Sequence, residues 1–251
     1  MKKELPTVTI ITVVFNAEKL IKKTIESVIN QSYKNIEYII IDGGSSDDTL
    51  NIIKKYENKI NYLVSEKDRG IYDAMNKGIE ASNGEWINFL NAGDSFYDNN
   101  VIKKIDFPSC HDMCFVYGDH VTIDVEGNKN YYNAYDFTLK NIAKYTTRVA
   151  CHQAMFIKRD IIPKYNLKYH LKSELDQYFY FAKNNIKYKK VSFPVVYFLK
   201  GGIGTKMIIN NTFERIIVIY KWIGFVEATY FSSKLLIGLV KIRLNKIKVF
   251  L

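Results

Sequence analysis

Acids, amides and glycines follow four apolar segments in the first half of the chain, and solvation alone does not explain this concentration. Asp42 comes after the apolar run 37–41 and precedes a glycine pair. Its carboxylate could meet the N–H edge of a base, or it could cap the turn. Asp94 closes the turn 91–94, where a carboxylate can hold Mg²⁺ or Mn²⁺ against a diphosphate. The phosphate-loop patterns GxGxxG and GxxxxGKS/T are both absent, which argues against dinucleotide and ATP sites.

A second pair of acids, Glu174 and Asp176, begins a helix that the sequence predicts over residues 173–184. Acids in a first helical turn are stabilised by the helix dipole, which is one explanation for them. The other explanation is a general base that removes a proton from a hydroxyl group. His152 and Gln153 precede this helix, and their residue types alone leave structural and functional roles open.

The elements that must position these residues alternate between strand and helix. Predicted strands cover residues 7–15, 37–41, 61–65 and 85–90. Asn16 is the predicted N-cap of the first helix, and helices also follow the second and third strands, the latter over 71–81. Such alternation predicts βαβ units and a parallel sheet, whose ligands bind beyond the carboxyl ends of the strands. Later predicted elements are short strands at 116–119 and 131–132, a strand over 191–198, and a helix from residue 210.

The basic excess is concentrated at the end of the chain. The formal net charge is +10, and residues 206–251 contain eight Lys or Arg against two Glu, a net +6. This basic amphipathic pattern fits a helix at a membrane surface, with an ordinary packed helix as the alternative. The sequence predicts neither a signal peptide nor a membrane-spanning helix. Its three cysteines are better explained as free thiols in a reducing cytosol than as zinc ligands.

The order of these motifs resembles that of the inverting glycosyltransferase family 2, particularly its bacterial capsule, O-antigen and colanic-acid enzymes. The resemblance rests on four segments: TVTIITVVFNAEKLIKKTIESVINQSYKNIEYIIIDGGSSDDT, SEKDRGIYDAMNKGIEASNGEWINFLNAGDSFYD, CHQAMF and SELDQYF. It implies an α/β protein of the GT-A fold, a Rossmann-like and mostly parallel sheet flanked by helices, with an amphipathic helical tail at the C-terminus. Residues 1–205 would form the catalytic domain, with a nucleotide-sugar half (1–100) and an acceptor half (101–205), and residues 206–251 the tail.

The resemblance also implies roles for individual residues. Asp42 would read the base, and Asp94 would hold Mg²⁺ or Mn²⁺, although Asn91 and Gly93 replace acids of the usual metal motif. Glu174 is the expected base, with Asp176 as the second candidate. The expected acceptor-side residues are His152 and Gln153. The expected donor-binding residues are Thr12, Val14, Asn16, Asp42, Asp68, Arg69, Asp73, Asn76, Asn91, Ala92 and Gly93.

The implied reaction is the transfer of one hexosyl or N-acetylhexosaminyl group, with inversion, from a nucleoside-diphosphate sugar to a hydroxyl acceptor. A UDP-sugar is the expected donor, and a lipid-linked or saccharide acceptor in cell-surface polysaccharide synthesis is expected. The Gln-x-x-Arg-Trp motif of processive members is absent, which predicts single transfer. The expected location is cytoplasmic, on the inner face of the cell membrane through the tail, without nucleic acid. Alternatives are a degenerate, non-catalytic GT-A-fold protein and a basic protein that binds membranes or nucleic acid.

Overall fold

A nine-stranded β-sheet is the framework of the computed structural model, which describes residues 5–202, 207–226 and 228–230. Its strands are β1 (Val8–Val14), β2 (Ile36–Asp42), β3 (Tyr62–Ser65), β4 (Trp86–Phe89), β5 (Ser95–Phe96), β6 (Phe115–Ile123), β7 (Lys129–Tyr132), β8 (Met155–Lys158) and β9 (Tyr188–Leu199). The helices are α1 (Ile21–Ile29), α2 (Thr49–Lys54), α3 (Ile71–Ala81), α4 (Val101–Lys104), α5 (Leu139–Tyr145), α6 (Ser173–Lys183) and α7 (Ile208–Ile223). The strand order is β3-β2-β1-β4-β8-β6-β9-β5, with β7 paired to β6.

The first four strands form the parallel part of the sheet, as the β-branched runs predict. All seven residues of β1 are buried, because helices cover both faces. On one face Ile21 and Ile25 of α1 share a core with Ile10, and on the other Met75 of α3 shares a core with Ile11. This arrangement brings the carboxyl ends of β3, β2, β1 and β4 to one edge.

The second half of the sheet is mixed. β8 is antiparallel to both β4 and β6, while β9 is parallel to β6 and antiparallel to β5. The predicted parallel arrangement therefore describes β1 to β4, and antiparallel pairs begin at β8. Helices α5 and α6 pack on the same face as α3, and α7 packs on α6.

The predicted helix over 71–81 is confirmed with the same bounds, and the predicted strands agree with β1 to β4 within one or two residues. The predicted N-cap is wrong, because α1 begins at Ile21 and not directly after Asn16. Asn16 has a φ of 46°, and its Oδ1 accepts a hydrogen bond from the N–H of Ser46 at 2.8 Å. The amide of Asn16 therefore joins two loops and is not available to cap a helix.

The predicted C-terminal helix corresponds to α7 in its first part. Residues 231–251, with most of the tail's basic side chains, lie outside the described ranges. Within residues 5–202, 207–226 and 228–230, no helix combines the length and the apolar character needed to cross a bilayer.

Candidate active site

The loops after β3, β2, β1 and β4 lie side by side, since these strands are parallel neighbours. They contain most of the predicted donor-binding and metal-binding residues from Asn16 to Asp94, while Asp73 and Asn76 lie in α3. Gly44 and Gly93 have φ values of 82° and 101°, which residues with a Cβ rarely adopt. This edge, called the rim below, is therefore built from tight turns in which the main chain can approach a ligand closely.

Asp42 ends β2, and its side chain is completely buried. Its carboxylate accepts hydrogen bonds from the N–H groups of Gly44 (3.1 Å) and Ser45 (2.9 Å). It also accepts bonds from the hydroxyls of Ser45 (2.5 Å) and Ser65 (2.6 Å). Oδ2 accepts three of these bonds and Oδ1 accepts one, and contact of Asp42 with a base stays a prediction. Asp42 fixes the turn after β2 and joins it to the end of β3, which is the turn-capping alternative.

Thr12 and Val14 lie inside the sheet and not at the rim. Thr12 has no exposed surface, and its hydroxyl donates to the carbonyl of Leu90 at 2.9 Å and lies 3.1 Å from the hydroxyl of Tyr38. Val14 is 6% exposed and packs in the core on the α1 face. The prediction that both line the donor site is therefore wrong. Asn16 is exposed at the rim and stays a candidate.

Charged side chains gather between the end of β3 and the start of α3. Arg69 bonds to Asp73 through its guanidinium (2.8 Å) and its main-chain N–H (3.0 Å), and these bonds lower the pKa of Asp73. The Arg69 side chain is 77% exposed, so it can also reach a diphosphate. Asp68 is half-buried, and this burial raises its pKa. Its carboxylate packs closely against Gly43, where a Cβ would lie 2.7 Å from Oδ2 of Asp68. Arg69 and Asn16 are thus exposed at the rim, while Asp68 is half-buried there.

Asn76 lies on the inner side of α3 and is 9% exposed. Its Nδ2 donates to the carbonyl of Tyr165 at 3.0 Å, and its Oδ1 accepts from the N–H of Tyr165 at 2.7 Å. The predicted donor contact is corrected, because both ends of the amide bind main chain. Asn76 positions Tyr165, whose ring stacks on Tyr72 with centroids 5.2 Å apart.

Asp94 lies at the end of the turn after β4 and is 4% exposed. Its Oδ1 accepts a hydrogen bond from the N–H of Leu199 at 2.8 Å. The hydroxyl of Thr24 donates to the carbonyl of Asp94 (2.7 Å) and accepts from the N–H of Gly93 (3.0 Å). Burial raises the pKa of Asp94 to about 7, although the Leu199 bond acts in the opposite direction. A cation beside this carboxyl would favour its ionised form.

The same turn carries a buried oxygen without a partner. Oδ1 of Asn91 is buried and makes no hydrogen bond within the described part of the chain. Between Asn91 and Asp94, the half-buried Ala92 holds the turn to β1 through its N–H, which donates to the carbonyl of Val13 at 3.2 Å. An amide oxygen and a carboxylate fit Mg²⁺ or Mn²⁺, which prefer oxygen ligands and accept more of them from substrate phosphates. Among the described residues no cluster of three His, Cys, Asp or Glu could hold a metal alone, so phosphate oxygens would be needed.

Glu174 lies in the first turn of α6 and faces α3. The hydroxyl of Tyr72 donates a short hydrogen bond to its Oε2, and Nζ of Lys172 lies 3.7 Å from its Oε1. The side chains of Glu174 and Lys172 are 12% and 11% exposed. Burial raises the pKa of Tyr72 well above its usual value, and the charge of Glu174 adds to this, so the phenol stays a donor. The carboxylate is thus held in one orientation from two sides.

Asp176 points to the other side of α6, because residues two apart on a helix are separated by about 200°. Its carboxylate accepts hydrogen bonds from Nζ of Lys221 (2.7 Å) and Nε1 of Trp222 (2.6 Å), both on α7. The assignment of Asp176 as an alternative base is corrected, since the residue anchors α7 to α6. Glu174 is left as the candidate base of this pair.

His152 and Gln153 lie in a short turn before β8 and are 8% and 7% exposed. Burial lowers the pKa of His152 to about 4, so its ring is neutral near pH 7. Its Nε2 lies 2.5 Å from the hydroxyl of Tyr165, and its ring stacks on Phe89 at 5.2 Å. The amide of Gln153 acts to lower the pKa of Asp94, and its Oε1 accepts a hydrogen bond from Sγ of Cys151 at 3.2 Å. The predicted acceptor contacts are corrected, because these side chains support Tyr165 and Asp94 from within the core.

A continuous chain of contacts joins the turn 91–94, called the metal turn below because it is the candidate cation site, to the candidate base. It consists of the influence of an amide on a carboxylate, a step along the main chain, a histidine–tyrosine bond, a tyrosine stack and a tyrosine–carboxylate bond. The two tyrosines were not among the predicted site residues. The members in order are Asp94, Gln153, His152, Tyr165, Tyr72 and Glu174.

Comparison with known proteins finds a family and relatives that the chain resembles in sequence. A profile of glycosyl transferase family 2 matches residues 9–165, which contain the rim, the metal turn and Tyr165. A PGL/p-HBAD biosynthesis glycosyltransferase of Mycobacterium bovis is 30% identical over 179 residues, covering 68% of this chain and 68% of that protein.

Two solved structures share the fold. S. aureus TarS, residues 1–349 in complex with UDP, has a TM-score of 0.66 at 17% identity and covers 92% of this chain and 70% of that chain. The mannosyltransferase PcManGT from Pyrobaculum calidifontis, in complex with GDP-Man and Mn²⁺, has a TM-score of 0.62 at 15% identity, covering 87% of this chain and 64% of that chain. At these identities the likeness shows the fold alone.

Proposed function

The chain belongs to glycosyltransferase family 2, and from this membership we propose that it transfers a single sugar from a nucleoside-diphosphate sugar to a hydroxyl acceptor, with inversion. It is a glycosyltransferase with the GT-A fold. A UDP-sugar carrying a hexosyl or N-acetylhexosaminyl group is the proposed donor, since the similarly folded TarS was solved with UDP and with UDP-GlcNAc. The proposed role is in cell-surface polysaccharide synthesis.

The contact chain from Asp94 to Glu174 is the observation that carries this proposal. It links the turn 91–94, which suits a cation and a diphosphate, to the carboxylate of Glu174, which suits proton removal. An inverting transfer needs these two functions on opposite sides of one anomeric carbon, so that the acceptor oxygen attacks as the diphosphate departs.

Glu174 would take the proton from the acceptor hydroxyl as that oxygen attacks the anomeric carbon. The bond between the anomeric carbon and the diphosphate oxygen breaks, and its electron pair leaves with the nucleoside diphosphate. The Tyr72 hydroxyl fixes one oxygen of Glu174, and Lys172 lies beside the other. The carboxylate is therefore oriented before substrate arrives, which lowers the cost of reaching the reactive geometry.

On the donor side, Asp94 and Asn91 would hold a divalent cation together with phosphate oxygens of the donor. The bound cation would supply neutralisation of the charge that develops on the leaving diphosphate. The exposed guanidinium of Arg69 is placed to contact the same phosphates, and Asp73 limits its orientation. Asp68 and Asn16 are the remaining rim residues proposed to contact the donor.

The acceptor is proposed to be a lipid-linked or saccharide alcohol, without a nucleic-acid partner. We place the protein on the inner face of the cell membrane, with peripheral contact through residues 206–251. Residues 1–205 would then act as the catalytic unit, divided into a donor half and an acceptor half near residue 100.

A donor panel tests the proposed reaction directly. Purified protein is incubated with UDP-glucose, UDP-galactose, UDP-GlcNAc and GDP-mannose, with water as the acceptor of the sugar, and the released nucleoside diphosphate is measured with Mn²⁺, with Mg²⁺ or with EDTA. We expect release from at least one donor with metal and a rate at least about tenfold lower in EDTA. Donor binding without release under any condition would favour a degenerate, non-catalytic protein.

Substitution of Tyr72 tests the orientation of the base. Tyr72→Phe is expected to lower kcat by about tenfold or more, because a hydrogen bond to a charged group is lost, while KM for the donor changes little. The matched control is Tyr33→Phe, which removes a hydroxyl bonded to the carbonyl of Pro6. Equal kcat values for Tyr72→Phe and the wild type would show that this bond does not orient the base.

A further inference from the structure

One side of α7 is apolar and yet faces solvent. Ile209, Phe213, Ile217 and Tyr220 are 75%, 65%, 41% and 55% exposed. At about 100° per residue they fall within an arc of roughly 80° on the helix surface. A helix on a protein surface normally presents polar side chains on its outer side. These four residues are called the outer face of α7 below.

Two charged side chains of α7, Glu214 and Arg215, bond to the rest of the protein instead. Glu214 accepts hydrogen bonds from the N–H groups of His170 (2.9 Å) and Leu171 (2.8 Å). The guanidinium of Arg215 donates to the carbonyls of residues 143 and 144, each at 3.2 Å, and burial lowers the pKa of Arg215 to about 10. These bonds fix the rotation of α7, so the outer face stays directed away from the protein.

The same helix is joined to the helix that carries the base. Lys221 and Trp222 bond to Asp176 on α6, and Val218 and Ile219 are buried in the core that α6 shares. Glu174 lies two residues before Asp176. A surface that holds the outer face of α7 would therefore also fix the orientation of the base relative to that surface.

A second copy of this chain and a lipid bilayer are the two partners considered for the outer face of α7. The charge of the chain that follows α7 decides between them. Residues 231–251 contain five Lys or Arg, no Asp or Glu, and twelve aliphatic or aromatic side chains. Pairing of two copies through the outer face would bring two such basic segments together, which like-charge repulsion opposes. An anionic bilayer attracts them and accepts the apolar face at the same time.

We propose that the outer face of α7 inserts into the interface of an anionic lipid bilayer and holds the base helix α6 at a fixed orientation to the membrane surface. This proposal specifies how residues 206–251 contact the membrane. It rests on the proposed function only in one respect, because the orientation of α6 matters for catalysis only if Glu174 is the base. Lipid binding itself requires no turnover.

The test is co-sedimentation of the full chain with vesicles of phosphatidylglycerol and phosphatidylcholine, and with vesicles of phosphatidylcholine alone. The variant Phe213→Glu/Ile217→Glu adds two charges to the outer face. The matched control Val125→Glu/Tyr62→Glu makes the same chemical change at two exposed apolar positions outside α7, which are 84% and 45% exposed. Nucleoside-diphosphate release without vesicles is measured for all proteins, so that loss of catalysis is distinguished from loss of lipid binding.

We expect the wild type and the control to sediment with the anionic vesicles. The fraction of the α7 variant that sediments should be at least about fivefold lower than that of the wild type. Binding should be weaker to phosphatidylcholine alone. Equal sedimentation of variant and wild type would overturn the proposal. A wild-type dimer in solution that the α7 variant dissociates, without vesicle binding by either protein, would assign the outer face to a second copy and also overturn it.

Discussion

Glu174→Gln is expected to lower turnover by about two orders of magnitude or more while donor affinity stays close to the wild-type value. The amide has nearly the shape of the carboxylate and can still accept the hydrogen bond from Tyr72, but it cannot take a proton from the acceptor. The effect should therefore appear in kcat and not in donor binding. Initial rates at saturating donor, together with calorimetric donor titrations, measure the two quantities separately.

The neighbouring acid supplies the matched control. Asp176→Asn makes the same chemical change two residues away, where the carboxylate bonds to Lys221 and Trp222. We expect this variant to be less stable to heat, because the junction between α6 and α7 is weakened, and to retain most of its turnover when folded. The opposite pattern, with turnover lost only in Asp176→Asn, would move the base and contradict the assignment.

Asp94→Asn is expected to lower turnover by about two to three orders of magnitude and to remove most of the stimulation by Mn²⁺ or Mg²⁺. The substitution removes the carboxylate of the metal turn, while an amide oxygen can still accept the hydrogen bond from Leu199. Charge that develops on the leaving diphosphate would then be poorly neutralised. Rates over a range of Mn²⁺ concentrations measure both the loss and the metal dependence.

Asp98→Asn is the control for this substitution. Asp98 lies four residues further on and forms an exposed ion pair with Lys104 at 2.6 Å, away from the turn. It should keep wild-type rates and metal dependence, since exposed pairs contribute little to stability. Undiminished stimulation of Asp94→Asn by Mn²⁺ would show that the cation does not bind this carboxylate.

Much of the fold could be predicted because its signals are local. The buried β-branched run of β1 and the helix over 71–81 follow from spacing within a few residues. The start of α1 could not be predicted in this way. Asn16 has the residue type of an N-cap, but its oxygen is taken by Ser46, which is thirty residues away in sequence.

The site was predicted less completely, because its roles depend on long-range contacts. Asp94 and Glu174 are linked by the contact chain, and their roles as metal ligand and base stay predictions. Asp42 and Asn76 stand in the same motifs, yet their polar atoms are occupied by Ser65 and by the main chain at residue 165. Residue type gives the chemistry that a side chain can do, and only packing decides whether its atoms face a ligand.

The sequence motif around Tyr72 pointed to a role for this residue, although its residue type alone did not. It lies within the segment DRGIYDAMNKG, one residue before Asp73, and on the side of α3 that faces Glu174. Tyr165 lies in an irregular loop, where no periodicity indicates a role. Both tyrosines become visible only when α3, α6 and that loop are brought together.

The most direct test of the central claim is a calorimetric titration of the wild type with the four nucleotide sugars of the donor panel, in Mn²⁺ and in EDTA. Asp94 and Asn91 need phosphate oxygens to complete a cation site, so donor and cation should bind together. We predict saturable binding of at least one nucleotide sugar in Mn²⁺, weakened by about tenfold or more in EDTA. The absence of binding by every nucleotide sugar in both conditions would contradict the proposed transferase.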